Sequence, residues 1–145
     1  MAGQAGVSGS TNGQGTTAKF NSPYGVAVDS SGNVYVSDKG NHLIRKINYS
    51  GNVTTLAGLD GVSGSSDGNG TNARFNSPYG VAVDSLGNVY VTDKDNHLIR
   101  KIDASGNVST LAGQAGVSGF ADGNGTNARF NSPYGITVDS FGGIY

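Results

Sequence analysis

The side chains of this chain that could do chemistry recur at a fixed interval. His42 and His97 are its two histidines, and each follows an aspartate by four residues, Asp38 and Asp93. Imidazole beside carboxylate is a donor set for a divalent metal, and imidazole is the usual general base near neutral pH. The competing reading is structural: each histidine holds its turn and the start of the next strand, while Asp38 or Asp93 accepts from turn amides. A motif present once per copy ordinarily serves the copy, so the structural reading takes precedence. Tyr24, Tyr79 and Tyr134 form a second set, each directly after a proline. A phenol offers an apolar face and a hydrogen-bonding edge, which suits either packing or a ring of ligand contacts.

Several chemistries are excluded or weakened by composition. The chain has no cysteine, so neither a disulfide framework nor a thiolate zinc site can form. It also has no glutamate, which removes glutamate acid/base pairs. No Ser/His/Asp order stands out. Asp67-Gly-Asn-Gly and Asp122-Gly-Asn-Gly lack the ligand spacing and distal glutamate of a calcium loop and read as turns. The same glycines do not open a helix, so they make no phosphate loop. Asn48, Asn52, Asn69, Asn107 and Asn124 lie in N-x-[ST] triplets, as expected by chance in a chain so rich in Asn, Ser and Thr. A formal net charge of −1 offers nothing to nucleic acid or an anionic membrane. No apolar run reaches the ~18 residues of a membrane span, and MAGQAGVSGS has neither part of a signal peptide.

These residues are positioned by a repeat. FNSPYG begins at Phe20, Phe75 and Phe130, every 55 residues. Residues 2–56 and 57–111 align without a gap at about three-quarters identity, and a partial third copy runs over 112–145. Residues 1–145 are therefore expected to form one repeat domain, two complete units and a truncated third. Glycine fills 25 of 145 positions, which alone would suggest a linker, but the strict period points to repeat architecture. Each copy spells four short strands separated by Gly/Asn/Ser turns: Gly25 to Asp29, Val34 to Val36, Leu43 to Asn48 and Val53 to Leu56. The second copy gives Val81 to Asp84, Val89 to Val91, Leu98 to Asp103 and Val108 to Leu111. The third keeps Ile136 to Asp139 and the start of a second strand, Ile144 and Tyr145. Four-stranded antiparallel units at this period predict an all-β fold, the β-propeller. The connection from Gly58 to Ser77 is read as an ordered crossing anchored by Val62, Ala73 and Phe75.

Asn41-His42-Leu43 and Asn96-His97-Leu98, within YVSDKGNHLIRKI and YVTDKDNHLIRKI, carry a resemblance to the NHL-repeat β-propellers, strengthened by PYGVAVDSSGNVYV. The resemblance runs the length of the chain and implies fold more than activity. Closed propellers of this family typically have six blades. In the resembling peptidyl-hydroxyglycine lyases a Pro-His pair brings zinc to the central channel. Here tyrosine follows each proline, and Gly25, Gly80 and Gly135 stand where an acidic residue would serve calcium. A lyase-type metal site is not expected. RNA-binding members rely on a basic face, whereas Arg45, Lys46, Arg100 and Lys101 are balanced here by aspartates.

The expected function is a self-assembling binding or scaffold module, with Tyr24, Tyr79 and Tyr134 at the channel mouth and no cofactor required. The alternative is a metal-dependent hydrolase of the phosphotriesterase, lactonase or esterase kind, with His42, His97, Asp38 and Asp93 as ligands to a divalent metal. The expected partner is a second copy. Each chain supplies three innermost strands, so a homodimer supplies six, and the third blade of each is expected to be the weak point, frayed or patched by the partner's residues near Ala2 to Ser8.

Overall fold

The computed structural model describes residues 2–145. Its strands are β1 (Gly13–Gln14), β2 (Pro23–Val28), β3 (Val34–Asp38), β4 (Leu43–Ile47) and β5 (Asn52–Ala57). The second copy repeats them as β6 (Gly68–Asn69), β7 (Pro78–Val83), β8 (Val89–Asp93), β9 (Leu98–Ile102) and β10 (Asn107–Ala112). They form two antiparallel five-stranded sheets, ordered β1-β5-β4-β3-β2 and β6-β10-β9-β8-β7. The all-β expectation holds, and each unit has four long strands. The correction is the fifth. Gly13 and Gln14 pair with Val53 and Asn52, and Gly68 and Asn69 with Val108 and Asn107. The connection entering each blade thus closes that blade's outer edge, which would otherwise present unpaired backbone groups.

Turn chemistry sets the register. In the β2–β3 turn the Asp29 carboxylate accepts from the Ser31 and Asn33 amides, the Asn33 side chain and the Tyr35 hydroxyl. Gly32 beside it holds a φ of +80°, which glycine adopts without strain. Asp84 makes the same contacts to Leu86, Asn88 and Tyr90. Val26 is thereby fixed opposite Val36, Tyr35 opposite Lys46, and Arg45 opposite Thr55.

The core lies between the two sheets. Tyr35, Ile44 and Ala57 of the first meet Val81, Val89, Val91, Ile102 and Val108 of the second, with Ala73 and Phe75 of the connection wedged among them. Ala73 and Phe75 are fully buried, as the crossing requires, but Val62 is 43% exposed and bridges back to Leu59 in a surface turn. Val62 is therefore no anchor.

The third copy is sparser. Thr137 and Tyr145 exchange backbone hydrogen bonds of 2.9 and 3.0 Å, with a single bridge between Val138 and Ile144. The strands expected over Ile136 to Asp139 and at Ile144 and Tyr145 reduce to this hairpin. It has no third strand beside it among the described residues. Between it and the second sheet lies an apolar cavity of about 370 Å³, lined by Ile99, Leu111, Phe130, Ile136 and Ile144. Their counterparts one repeat earlier, Ile44, Leu56, Phe75, Val81 and Val89, belong to the packed core, where Val91 and Ile102 of the next two strands complete it.

Candidate functional site

The four residues considered as metal ligands are built into the junctions between repeats. Asp38 ends β3 and is fully buried. It accepts from the Asn21 amide at 2.7 Å, from Asn41 Nδ2 at 2.8 Å and from Arg45 Nη1 at 2.8 Å. Asp93 accepts equivalently from Asn76, Asn96 and Arg100. Both aspartates accept a backbone amide of the incoming connection, and from their own turn only the side chain of Asn41 or Asn96. Burial pushes the Asp93 carboxyl up to about 6, against the pull of Asn96, the Asn76 amide and Arg100. Burial raises Asp38 too. Each faces a guanidinium at 2.8 Å, the arrangement that makes a buried charge tolerable.

His42 and His97 cap the 3₁₀ turns Lys39–Asn41 and Lys94–Asn96 in the left-handed conformation, at φ of 59° and 61°. This shape turns each imidazole toward the next repeat. His42 Nδ1 accepts from the Ser77 amide at 3.1 Å, and His97 Nδ1 from the Ser132 amide at 3.0 Å. A second fastening lies nearby. Ser37 Oγ accepts from the Gly25 amide and donates to the Tyr79 carbonyl at 2.5 Å, and Thr92 Oγ1 bonds the Gly80 amide and Tyr134 carbonyl likewise. Gly25 is required there, since a Cβ would clash with the Tyr79 carbonyl oxygen that Ser37 holds. Among the described residues, no three His, Cys, Asp or Glu side chains are grouped to hold one metal ion.

Sequence reasoning missed Ser37, Thr92 and the arginines. Arg45 and Arg100 are fully buried, their guanidinium carbons 5.1 Å from the Phe20 and Phe75 ring centroids. Asn12 and Asp67 accept from them, so the Asp67 turn, which was set against a calcium loop, serves as an arginine clamp, as does its counterpart at Asn12. The visible signal was an arginine at one place in every complete copy, directly after the apolar pair Leu-Ile.

The tyrosines do come together. Tyr24 and Tyr79 have ring centroids 3.5 Å apart at 37°, and Tyr79 and Tyr134 are 4.6 Å apart, edge to face at 76°. The row sits at the start of the innermost strands, beside a groove of about 320 Å³ floored by Gly25, Gly80 and Gly135. Tyr24 is 61% and Tyr134 53% exposed. Each repeat adds a cation to the next one's ring: Lys39 Nζ lies 5.5 Å from the Tyr79 centroid and Lys94 Nζ 5.4 Å from that of Tyr134. The hydrogen bond with Tyr24, followed by burial, pushes the Tyr79 hydroxyl up to about 12, so Tyr79 is neutral at physiological pH.

The NHL repeat family matches residues 20–47 and 75–102, the three inner strands of each sheet. NHL repeat-containing protein 2 of Gallus gallus is 39% identical over 99 residues, covering 67% of this chain and 13% of that protein. A structural genomics protein of unknown function from Bacteroides thetaiotaomicron superposes at a TM-score of 0.77 and 35% identity, covering 84% of this chain and 31% of that one. An auxiliary nutrient binding protein from the same organism superposes at 0.72 and 27%, covering 80% and 32%. The chain thus spans 9% to 17% of the first curated relatives it matches. Among the described residues no helix is long and apolar enough to cross a membrane. With the family matched on both sheets and the inter-blade fastening built from Asn-His-Leu, the chain is an NHL-repeat protein whose sheets are blades of a β-propeller.

Proposed function

We propose that the chain is a binding or scaffold module that assembles with copies of itself and takes its ligand at the tyrosine row. The observation that carries this is the row itself. Three rings, two of them more than half exposed, stand in line at one end of the innermost strands, each of the last two beneath a lysine. Exposed aromatic rings over a groove are a ready binding surface, because their contact area is already desolvated in part and costs little side-chain entropy to use. The nutrient-binding description of a relative at 27% identity supports the same class.

Self-assembly is supported by the outer faces. Val26 and Val28 on the first sheet are 64% and 59% exposed, whereas Val81, the counterpart of Val26, is 7% exposed under the first sheet. Apolar area of this kind favours burial at about 25 cal/mol per Å². A homodimer is the smallest assembly that covers the faces at both ends.

The chain has no tryptophan, so intrinsic fluorescence reads tyrosine alone. The test is a fluorescence titration with neutral and acidic saccharides, free amino acids and short peptides, alongside light scattering after size exclusion. Saturable quenching that Tyr79→Ala removes is expected, with a mass above 14.6 kDa. Quenching by no probe, or chelator-sensitive ester hydrolysis with stoichiometric bound metal, would overturn the binding reading. A 14.6 kDa monomer at every concentration would overturn the assembly reading.

A further inference from the structure

The largest assembly question is what the first blade docks onto, and its own shape supplies an answer. In each internal junction the Asn-His-Leu turn of one blade sits in a seat made by the following repeat. The seat holding His42 bonds it through the Ser77 amide and bonds the Asn41 carbonyl through the Gly61 amide at 3.2 Å. The seat holding His97 uses the Ser132 and Gly116 amides at 3.0 and 3.2 Å. A close approach of backbone to backbone completes it: a Cβ on Gly58 would lie 2.5 Å from the His42 carbonyl.

The first repeat has the same seat with no turn in it. A cavity of about 610 Å³ is lined by Gly3, Gly6, Val7, Phe20, Ser22 and their neighbours. Its backbone is already set. Gly3, Gly6 and Ser22 hold φ of 103°, 73° and 50°, against 95°, 72° and 51° for Gly113, Gly116 and Ser132. Among the described residues nothing accepts from the Ser22 or Gly6 amide. The seat is built without its occupant, so it is preorganised. Residues 2–9 and 112–119 are identical, AGQAGVSG in both, and both copies continue to FNSPYG. The segment that seats His97 within the chain therefore has an equivalent in every other copy.

We propose that the first-repeat cavity receives the Asn96-His97-Leu98 turn of a second copy, which gives up its own residues 112–145 to do so. This rests on the reading that copies assemble, and it names the seam. The exchanged seam regains both fastenings: Ser22 donates to the second copy's His97, and Thr92 of that copy reaches the Tyr24 carbonyl. It also brings a complete sheet, with Val36 and Ile47, over Ile99 and Leu111, where the hairpin leaves the 370 Å³ cavity. Head-to-tail exchange closes four blades from two copies or six from three, both within the range propellers adopt. Near-identical repeats make such exchange accessible.

Three equivalent amides read the seam directly in the unmodified chain. Hydrogen exchange at Ser22, Ser77 and Ser132 is followed by NMR from low to high protein concentration, with mass from light scattering. Ser22 is expected to gain at least about tenfold protection as mass rises, Ser132 to lose a similar factor, and Ser77 to stay constant. In His97→Ala, Ser22 remains unprotected while Ser77, held by His42, does not change. A rise in mass with Ser22 and Ser132 unmoved overturns the exchange and leaves self-assembly standing. A monomer throughout overturns both.

Discussion

Val26 and Val81 occupy the same place one repeat apart, yet the first is 64% exposed and the second 7%. The residue, strand and turn chemistry are the same, and only the neighbour differs. Burial in this molecule is thus a property of the junction and not of the blade. The fastenings agree: the first junction has a complete core, a His42–Ser77 bond and a Ser37–Tyr79 bond. The second keeps both bonds, His97–Ser132 and Thr92–Tyr134, but has a cavity where the core should be. Polar fastening and apolar filling are separable here, and the repeat supplies the fastening first.

The sharpest way to break this comparison is to empty the filled junction. Phe75 is fully buried, and Phe75→Ala is expected to cost about 3–5 kcal/mol, enough to unfold a marginal domain. Phe130 holds the same place at the half-empty junction, and Phe130→Ala should cost about 1–2 kcal/mol. Urea denaturation of both, at one protein concentration, checks it. Equal losses would mean that the second junction is as well filled as the first.

Next come the fastenings. His42→Ala leaves the Ser77 amide without its acceptor, and Ser37→Ala does the same to the Gly25 amide. Each is expected to cost about 1–3 kcal/mol, the usual penalty for a buried polar group left unpaired. His97→Ala and Thr92→Ala should cost about as much, because the second junction keeps its polar half. A much smaller cost at His97 would show that the two halves are not separable.

These effects also mark what could be read from the chain before its fold was known. The 55-residue period and the strands with their glycine turns were legible because each is a local pattern. Strand ends were misjudged by one to three residues, and β1 and β6 went unseen, since Gly-Gln and Gly-Asn carry no alternation to read. His42 was placed correctly at the start of the third strand, but its partner lies 35 residues on, in the next repeat. Arg45 was weighed as a surface charge because arginine usually is one, and only the buried Asp38 beside it changes that. Val62 showed the reverse, an apolar residue at a constant offset that the turn leaves exposed. Long-range pairing decides each of these, and spacing within one copy does not encode it.

A smaller effect sharpens the contrast between the two faces. Val81→Thr puts a hydroxyl into the filled core and is expected to cost about 1–2 kcal/mol. Val26→Thr touches an open face in an isolated copy and should stay within about 0.5 kcal/mol under dilute conditions. At high concentration it should weaken assembly instead, visible as a lower mean mass.

The smallest effect separates the carboxylates of the junction from those of the turns. Asp93, raised to about 6 by burial, binds its proton more tightly folded than unfolded. Its contribution therefore favours the folded state at acid pH and fades as pH rises through about 6. Asp84 runs the other way. Burial raises it, but hydrogen bonds from Asn88, Tyr90 and the Leu86 amide outweigh this and lower it below 3.8. Its stabilisation is present above 3.8 and is lost as pH falls through the lowered value. Carboxyl ¹³C titration should find Asp93 changing near 6, while Asp84 and its equivalent Asp29, also lowered by its turn donors, change only below 3.8. Asp84→Asn should then flatten the acid limb of the stability profile by a few tenths of a kcal/mol, about the value of a partly exposed charge-assisted bond. Asp93 titrating with the turn aspartates would instead make the buried arginine, and not burial, the dominant influence at the junction.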